Sequence, residues 1–396
     1  MKLFYSGIKS KETMYAYKKT LREFLASVVE FHGTFEERAR QFVEYARKNP
    51  SETKQLLKNY AAYLKERTEK PRESPEYLNP NTLPNKLKSI KKFLKMNEIP
   101  IEWANIEAIF PERNNIQQTR GYTTEEIKRI LDYSTDVEMD FAILAESSSG
   151  IRVGAWEDQV WGNIRPIYDA GDGTYIHDVI KAGAKPKIVC ASIVVYDETS
   201  SKYLSLISIE AWDKLQAVKE KWIRRRGREP RTDDPIFITR YKDGRAFSKI
   251  GIKNKLNKLI LKSGVQKPLT EGQRNHEVPM THGMRKRWNK IMSEQKINGE
   301  SQANLIRKER LFGHKVGVTK LDNSYFYSEI EESIPQYLQA MRELMISDEY
   351  RNRRDLQILK DENQKLQQTI KEKDNALQMV EELKAKMERL EKYQRI

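Results

Sequence analysis

The chain has 396 residues, and its 72 lysines and arginines outnumber its 57 aspartates and glutamates to give a formal net charge of +15. Its one cysteine, Cys190, excludes an intrachain disulfide and any zinc site built from cysteine pairs. No stretch approaches the roughly 18 apolar residues of a membrane span, and no signal-peptide pattern opens the chain. We expect a cytoplasmic protein that does not contact membranes, and the basic excess indicates a polyanionic partner such as nucleic acid.

The first hundred residues predict three helices. The first covers residues 10–30 behind Ser10 as N-cap, the second follows Ser51, and the prolines within 70–81 predict a loop. The third helix, over 82–96, carries five lysines: Lys86, Lys88, Lys91, Lys92 and Lys95. These lysines form either a solvated helix face or a contact with a DNA backbone, and the basic stretch that follows makes the two interpretations comparable.

The middle of the chain predicts a second domain of mixed structure. Residues 111–121 are polar and unpatterned, which predicts a linker, and Thr123–Glu126 is a capping box that opens the next helix. A further helix is predicted over 137–147. Two apolar, β-branched segments, Ile188–Tyr196 and Tyr203–Ser208, predict a β-hairpin. More helices are predicted from about 210, 281, 301 and 329.

The segment from about 355 has a pattern of its own. Leucines, an isoleucine and a valine recur at alternating spacings of three and four, with Asn363 and Lys373 in two of the core slots and a phase slip before Leu383. A single amphipathic helix packed on its own domain would also fit. We favour a coiled coil, in which Asn363 resembles the buried polar residue that fixes register in dimers.

Four clusters of side chains could carry chemistry. They contain Arg152 after a turn, the pair His282 and Arg285 at a spacing of three, His314 after a glycine, and the tyrosines Tyr325 and Tyr327. Each has an ordinary structural explanation taken alone: a helix cap, a chance pair, a helix end, a packed ring. Their order along the chain is what indicates a common function.

That order resembles the tyrosine recombinases, the phage and archaeal integrases and the Xer-type resolvases. The resemblance covers residues 118 to about 345, and the strings LFGHK and LDNSYFYSE are most similar to archaeal integrases and their mobile elements. It implies a mainly α fold with a small antiparallel β-sheet, in which two domains clamp a duplex. With the coiled coil this gives a helical DNA-binding domain over 1–112, a linker over 113–121, a catalytic domain over 122–349 and a coiled-coil tail over 350–396.

The resemblance also implies a role for each residue. Arg152 and Arg285 match two arginines that clamp a phosphate, and His282 and His314 match the two histidine positions. Lys202, at the hairpin tip, matches the lysine that protonates the leaving oxygen; Lys185 and Lys187 are weaker candidates. Tyr325 is the expected nucleophile rather than Tyr327, because it aligns with the first tyrosine of a Ser-Tyr-Tyr segment and is nearer in sequence to His314.

Two features depart from the family pattern. Ala155 stands where an acidic residue often follows the first arginine, and Glu157 is out of register, which puts the usual acidic support in doubt. The distance in sequence from His314 to either tyrosine is also longer than is common.

The chemistry of these residue types agrees with the resemblance. Two arginines can neutralise a crowded phosphorane-like transition state, and a tyrosine can hold the cut DNA end covalently, so neither ATP nor a metal or other cofactor is expected. The resemblance implies two partners, double-stranded DNA with a specific att-like site and further copies of the chain that form a tetramer on DNA. It thereby implies that the protein is associated with the nucleoid. The alternatives are a type IB topoisomerase-like cutter, a non-catalytic DNA-binding protein with a coiled-coil tail, and a coiled-coil scaffold.

Overall fold

The computed structural model describes residues 1–112, 119–170, 174–177, 187–239, 244–270, 276–295, 301–314 and 330–394. The chain divides into two compact units. The first is Met1–Gln118 with the short segment Thr270–Arg274, and the second is Thr119–Leu269 with Asn275–Ile396. Each unit has a hydrophobic core of its own.

The first unit is helical. Its helices are α1 (Lys2–Ser6), α2 (Lys11–Ser27), α3 (Phe35–Lys48), α4 (Pro50–Glu69), α5 (Leu83–Met96) and α6 (Ala104–Glu107). The Ser10 hydroxyl accepts a hydrogen bond from the Thr13 amide, so the predicted cap of α2 is confirmed. α3 was not predicted, although Thr34 and Glu37 form a reciprocal capping box at its start. A core of phenylalanines and leucines from α2, α3, α4 and α5 holds the unit together.

The second unit combines eight helices with a small sheet among its described residues. The helices are α7 (Thr124–Asp132), α8 (Val137–Ser149), α9 (Ile209–Arg226), α10 (Lys249–Lys262), α11 (His282–Glu294), α12 (Ser301–Leu311), α13 (Ile330–Leu344) and α14 (Asp348–Gln394). The strands are β1 (Ile164–Asp169), β2 (Tyr175–Ile176), β3 (Lys187–Val195) and β4 (Tyr203–Ser208). The protein is thus mainly α with a small antiparallel sheet, as predicted.

The sheet has the order β2-β1-β3-β4, and all of its neighbouring strands are antiparallel. The predicted hairpin is confirmed as β3 and β4, in which Val195 pairs with Tyr203 next to the connecting turn. β1 and β2 were not predicted. The sheet matters for the site because β3 and β4 lie between the core around α8 and the core around α13.

α8 lies at the centre of the second unit. All but two of its residues are buried, so it shows no polar face, and it packs against α9, α11 and β4. Its end is fixed by Gly150, which adopts the left-handed conformation with φ 66° and donates its amide to the Glu146 carbonyl at 2.9 Å. A Cβ at this position would lie 2.9 Å from the Trp288 ring, so only glycine fits.

The junction between α13 and α14 is anchored by two charged side chains from the core. Glu210, at the start of α9, accepts hydrogen bonds from the amides of Ile346 at 2.7 Å and Ser347 at 2.8 Å. Arg287, on α11, donates to the carbonyls of Leu344 and Glu343. The start of α14 is therefore held by side chains of α9 and α11.

α14 itself continues to Gln394 as one helix, which agrees with the predicted helical tail. Its pairing with another helix stays a prediction. Within the described residues, no helix is long and apolar enough to cross a membrane.

Candidate active site

Arg152 is placed by the turn that ends α8. Two residues after Gly150 it precedes the 3₁₀ turn Val153–Asp158, and its side chain is exposed. Among the described residues it has no ion-pair or hydrogen-bond partner. The positive charge of Arg152 nevertheless acts on Arg285 and His282 and lowers the pKa values of both. Within the part of the chain that the structure describes, the first predicted arginine is thus a cation without a counter-ion, close to the second.

Arg285 is the most constrained side chain of the site. It is 2% exposed, and its guanidinium donates to the carbonyls of Gly150 and, at 2.7 Å, of Phe312. It also stacks on the Phe312 ring, 3.3 Å from the ring centre. Burial and the neighbouring Arg152 lower the pKa of Arg285 to about 10, which leaves it charged at neutral pH. None of its hydrogen bonds within the described chain goes to a carboxylate.

The stack behind Arg285 continues into the core. The Phe312 ring lies parallel to the Trp288 ring, with centroids 5.0 Å apart and planes at 5°. Trp288 in turn donates its indole N–H to the Ser148 carbonyl at 2.9 Å. The guanidinium is therefore aimed by packed rings and backbone carbonyls, which preorganise it without cancelling its charge.

His282 opens α11 and lies on the same face as Arg285, three residues later. Its ring is exposed. Partial desolvation and the positive charges of Arg285, Lys286 and Arg152 lower the pKa of His282. A larger share of this imidazole is therefore neutral at physiological pH and able to accept a proton.

His314 follows Gly313, whose φ of 70° and contact with the Tyr203 ring require glycine. The imidazole Nε2 lies 3.2 Å from the Arg285 guanidinium, and Nδ1 lies 2.5 Å from the Glu309 carboxylate. We assign the proton to Nδ1, because Arg285 can only donate and Nε2 must then accept. Burial acts to raise the pKa of Glu309, but the hydrogen bonds from Lys308 and His314 have the larger combined effect, so the pKa of Glu309 is lowered.

Lys202 lies in the turn between β3 and β4, where its ammonium forms an ion pair with Asp197. Both side chains are about 40% exposed, so this pair is weak and easily exchanged. Of the weaker candidates, Lys187 is exposed at the start of β3. Lys185 lies outside the described residues, and so do Tyr325 and Tyr327. The structure thus brings together Arg152, His282, Arg285 and His314, and their roles stay predictions.

Two tyrosines close to the site were not predicted from the sequence. Tyr196 and Tyr203 flank the hairpin turn, with ring centroids 6.2 Å apart. Burial raises the pKa of Tyr203 to about 12 and also raises that of Tyr196, while both arginines act in the opposite direction. Their only signal in the sequence is their position at the ends of the two hairpin segments.

Neither position considered for acidic support supplies a carboxylate to Arg152 within the described residues. Ala155 is buried, and Glu157 pairs with Lys249 at 3.6 Å. Among the described residues no cluster of three or more histidine, cysteine, aspartate or glutamate side chains could hold a metal ion.

The lysine row of α5 is less uniform than its sequence. Lys86 forms an ion pair with Glu23 at 2.6 Å, and Lys91 forms one with Glu107 at 2.8 Å. Lys88 donates a hydrogen bond to the neutral side-chain amide of Asn85 and has no carboxylate partner in the described chain, and Lys95 is exposed. Half-buried Lys92 lies against Gly7. Their contact with DNA stays a prediction, and Lys88 and Lys95 are its strongest members.

Comparisons with known proteins give structural likenesses only. The XerA recombinase is 15% identical over 84% of this chain and 97% of its own, with a TM-score of 0.33. A lambda integrase dimer bound to a COC′ core site is 17% identical over 79% of this chain and 87% of its own, with a TM-score of 0.42. The XerH recombinase bound to palindromic difH substrate is 12% identical over 81% of this chain and 95% of its own, with a TM-score of 0.44. No family model and no curated protein matches the chain.

Proposed function

We propose that the chain is a site-specific DNA recombinase or integrase that cuts and rejoins DNA through a 3′-phosphotyrosyl bond. The observation that carries the proposal is Arg285, a buried and charged guanidinium that, like the neighbouring Arg152, has no carboxylate partner among the described residues. Burying a cation without a counter-ion costs free energy, which an anionic ligand recovers. Two planar guanidinium groups suit the non-bridging oxygens of a phosphodiester.

The proposed mechanism assigns one task to each residue. The Tyr325 oxygen attacks phosphorus and forms a P–O bond, while the bond from phosphorus to the 5′ oxygen breaks. The tyrosine proton passes to His282, whose lowered pKa favours the neutral base. Lys202 protonates the leaving oxygen. Before this step, the negatively charged DNA backbone replaces Asp197 as the ion-pair partner of Lys202. Rejoining reverses these steps.

His314 has a positioning task in this proposal. With Nδ1 held by Glu309, its Nε2 faces Arg285 and the phosphate position. Arg152 and Arg285 carry the charge of the transition state, so we propose that neither a metal nor ATP takes part: the phosphotyrosine conserves the energy of the broken bond.

Double-stranded DNA is the proposed substrate, and the lysines of α5 are the proposed contacts to its backbone. We propose that the first unit binds DNA, that the second unit carries the chemistry, and that α14 serves self-association within a tetramer. A topoisomerase-like cutter would use the same chemistry on single sites. The uncovered apolar row of α14 favours recombination, in which two sites must be held together.

The test is covalent capture on a nicked DNA duplex that carries the protein's recombination site, recovered by selection from a random library. We expect wild type and Tyr327→Phe to form the adduct, and Tyr325→Phe to bind the duplex but form none. An adduct that disappears only in Tyr327→Phe would move the nucleophile by two residues. Absence of any adduct from wild type on a duplex that it binds would overturn the proposed chemistry.

A further inference from the structure

α14 leaves one row of apolar side chains uncovered. The members of the row are between 47% and 64% exposed: Leu356, Leu359, Leu366, Ile370, Leu377, Val380, Leu383 and Met387. Such a row at alternating spacings of three and four is the seam of a coiled coil. It needs a partner helix, because scattered exposed leucines are normal on a surface but a continuous stripe is not.

The two polar core slots decide which way the partner runs. In a parallel pair each core residue faces its own copy, so Asn363 would meet Asn363 and Lys373 would meet Lys373. The first pairing is favourable, but the second places two ammonium groups opposite each other in an apolar seam. A parallel coil is therefore penalised at Lys373.

An antiparallel pair centred on Gln368 removes this penalty. Residues equally far before and after Gln368 then face each other. The facing pairs are Leu356 with Val380, Leu359 with Leu377, Leu366 with Ile370, and Asn363 with Lys373. Every apolar slot meets an apolar slot, and each lysine ammonium can donate a hydrogen bond to the side-chain oxygen of an asparagine.

The positions that flank the seam agree with this register. In an antiparallel coil, the residues that follow one set of core slots line up across the helices. Here Arg353 lies opposite Glu381 of the second copy, Lys360 lies opposite Asp374, and Gln367 faces its own copy. Both charged pairings are attractive, and they occur twice by symmetry.

The same register brings the C-terminal part of α14 next to the start of α14 in the second copy. Leu383 and Met387 would lie level with Arg353 and Glu349 of the second copy. At that level the base of α14 borders a groove of about 370 Å³ in the second unit. Its apolar lining comes from Ile188, Val189, Ile209, Met341, Met345 and Leu356, so Leu356 belongs to both the groove and the seam.

We propose that α14 forms an antiparallel coiled coil with α14 of a second copy, centred on Gln368, and that Leu383 and Met387 occupy the groove at the base of that copy's helix. The phase slip after Val380 turns the apolar row from the helix seam toward the groove. The inference rests on the self-association proposed above and is independent of DNA cleavage.

The orientation is tested in the full-length protein by disulfide trapping. Cys190 is fully buried, so introduced cysteines are the reactive ones. We expect Leu359→Cys and Leu377→Cys to give no cross-linked dimer alone and to give one when mixed. The reason is that each position would lie about 27 Å from its own copy, at 1.5 Å per residue, whereas a disulfide spans about 4 Å between Cβ atoms.

A disulfide from either variant alone would show a parallel pair and overturn the orientation. A mixture that does not cross-link, from a protein that sediments as a monomer, would overturn the association itself. The adduct assay above is unaffected by either result, so the two proposals fail separately.

The groove is tested with a matched pair of substitutions. Met387→Asp should raise the dissociation constant of the dimer by about tenfold or more, because a methionine side chain leaves an apolar contact. Met379→Asp is the control: Met379 is 66% exposed on the same helix but lies off the seam. Equal dissociation constants for the two variants would overturn the seating in the groove.

Discussion

Two residues that hydrogen-bond to the backbone of Gly150, Glu146 and Arg285, have buried ionisable side chains. Burial changes the charge state of one side chain and leaves that of the other unchanged. Glu146, 1% exposed, accepts one hydrogen bond from the Trp156 indole at 2.7 Å, and its second oxygen has no partner in the described chain. Burial raises the pKa of Glu146 to about 8, so this carboxyl is mostly protonated at neutral pH. Arg285 is equally buried and stays charged.

The difference lies in whether the side chain can lose its charge. A carboxyl can escape the cost of burial by taking up a proton, and Glu146 does so. A guanidinium cannot lose its proton at physiological pH, so the fold keeps a cation whose described partners are carbonyls, an imidazole and a ring. Glu146 is a core residue whose burial costs free energy that depends on pH, whereas Arg285 keeps the positive charge that the proposed binding of a phosphate needs.

The largest expected effect comes from changing the charge geometry of Arg285. Arg285→Lys keeps the charge but loses the planar fork, so we expect the rate of adduct formation to fall by about 10³-fold while DNA affinity changes by only a few-fold. Lys290→Gln, an exposed residue on the same helix, is the control. Rates within tenfold of wild type would remove Arg285 from the transition state.

Glu146 gives a smaller effect, on stability. Its pKa is about 8 in the folded protein and near 4.5 when unfolded, so the unfolded state gains from ionisation as pH rises. The free energy of unfolding should therefore fall between pH 5 and pH 8, by on the order of 3–4 kcal/mol, and then level off. Glu146→Gln keeps the acceptor for Trp156 and should lack this fall.

The measurement is urea denaturation of both proteins across that pH range. Parallel curves for wild type and Glu146→Gln would contradict the assignment of the pH dependence to this carboxyl, and with it the contrast with Arg285.

The smallest effect concerns the surface cations of α5. Neutralising Lys88 and Lys95 together should reduce the slope of log affinity against log salt by up to about two units, roughly one for each lost phosphate contact. Lys91→Gln should change the slope less, because Glu107 already compensates its charge. The slope is read from DNA titrations at several salt concentrations. A slope that none of these changes alters would place the backbone contacts elsewhere.

Elements with strong local signals were predictable from the sequence. α2, α7 and the β3–β4 hairpin each combine a regular apolar pattern with a cap or turn. α3 was missed because two of its four buried positions are alanines, Ala39 and Ala46, which weaken the apolar pattern despite the capping box. β1 was missed because Pro166 lies within it and its register comes from pairing with β3, a distant part of the chain.

The candidate site shows the same limit. The sequence order was enough to select Arg152, His282, Arg285 and His314, which the structure brings together. It could not reveal that carbonyls of Gly150 and Phe312 aim the guanidinium, or that Glu309 sets the tautomer of His314. Those contacts depend on backbone groups and helix ends that no residue pattern records.

The anchored start of α14 makes the helix a lever. Its 47 residues extend about 70 Å at 1.5 Å per residue. A rotation of 5° about the junction held by Glu210 and Arg287 therefore displaces the far end by about 6 Å. Arg287 belongs to the same helix as His282 and Arg285. Because the helix is long and its anchor is short, a small force at the far end produces a much larger force on the segment that carries the proposed catalytic groups.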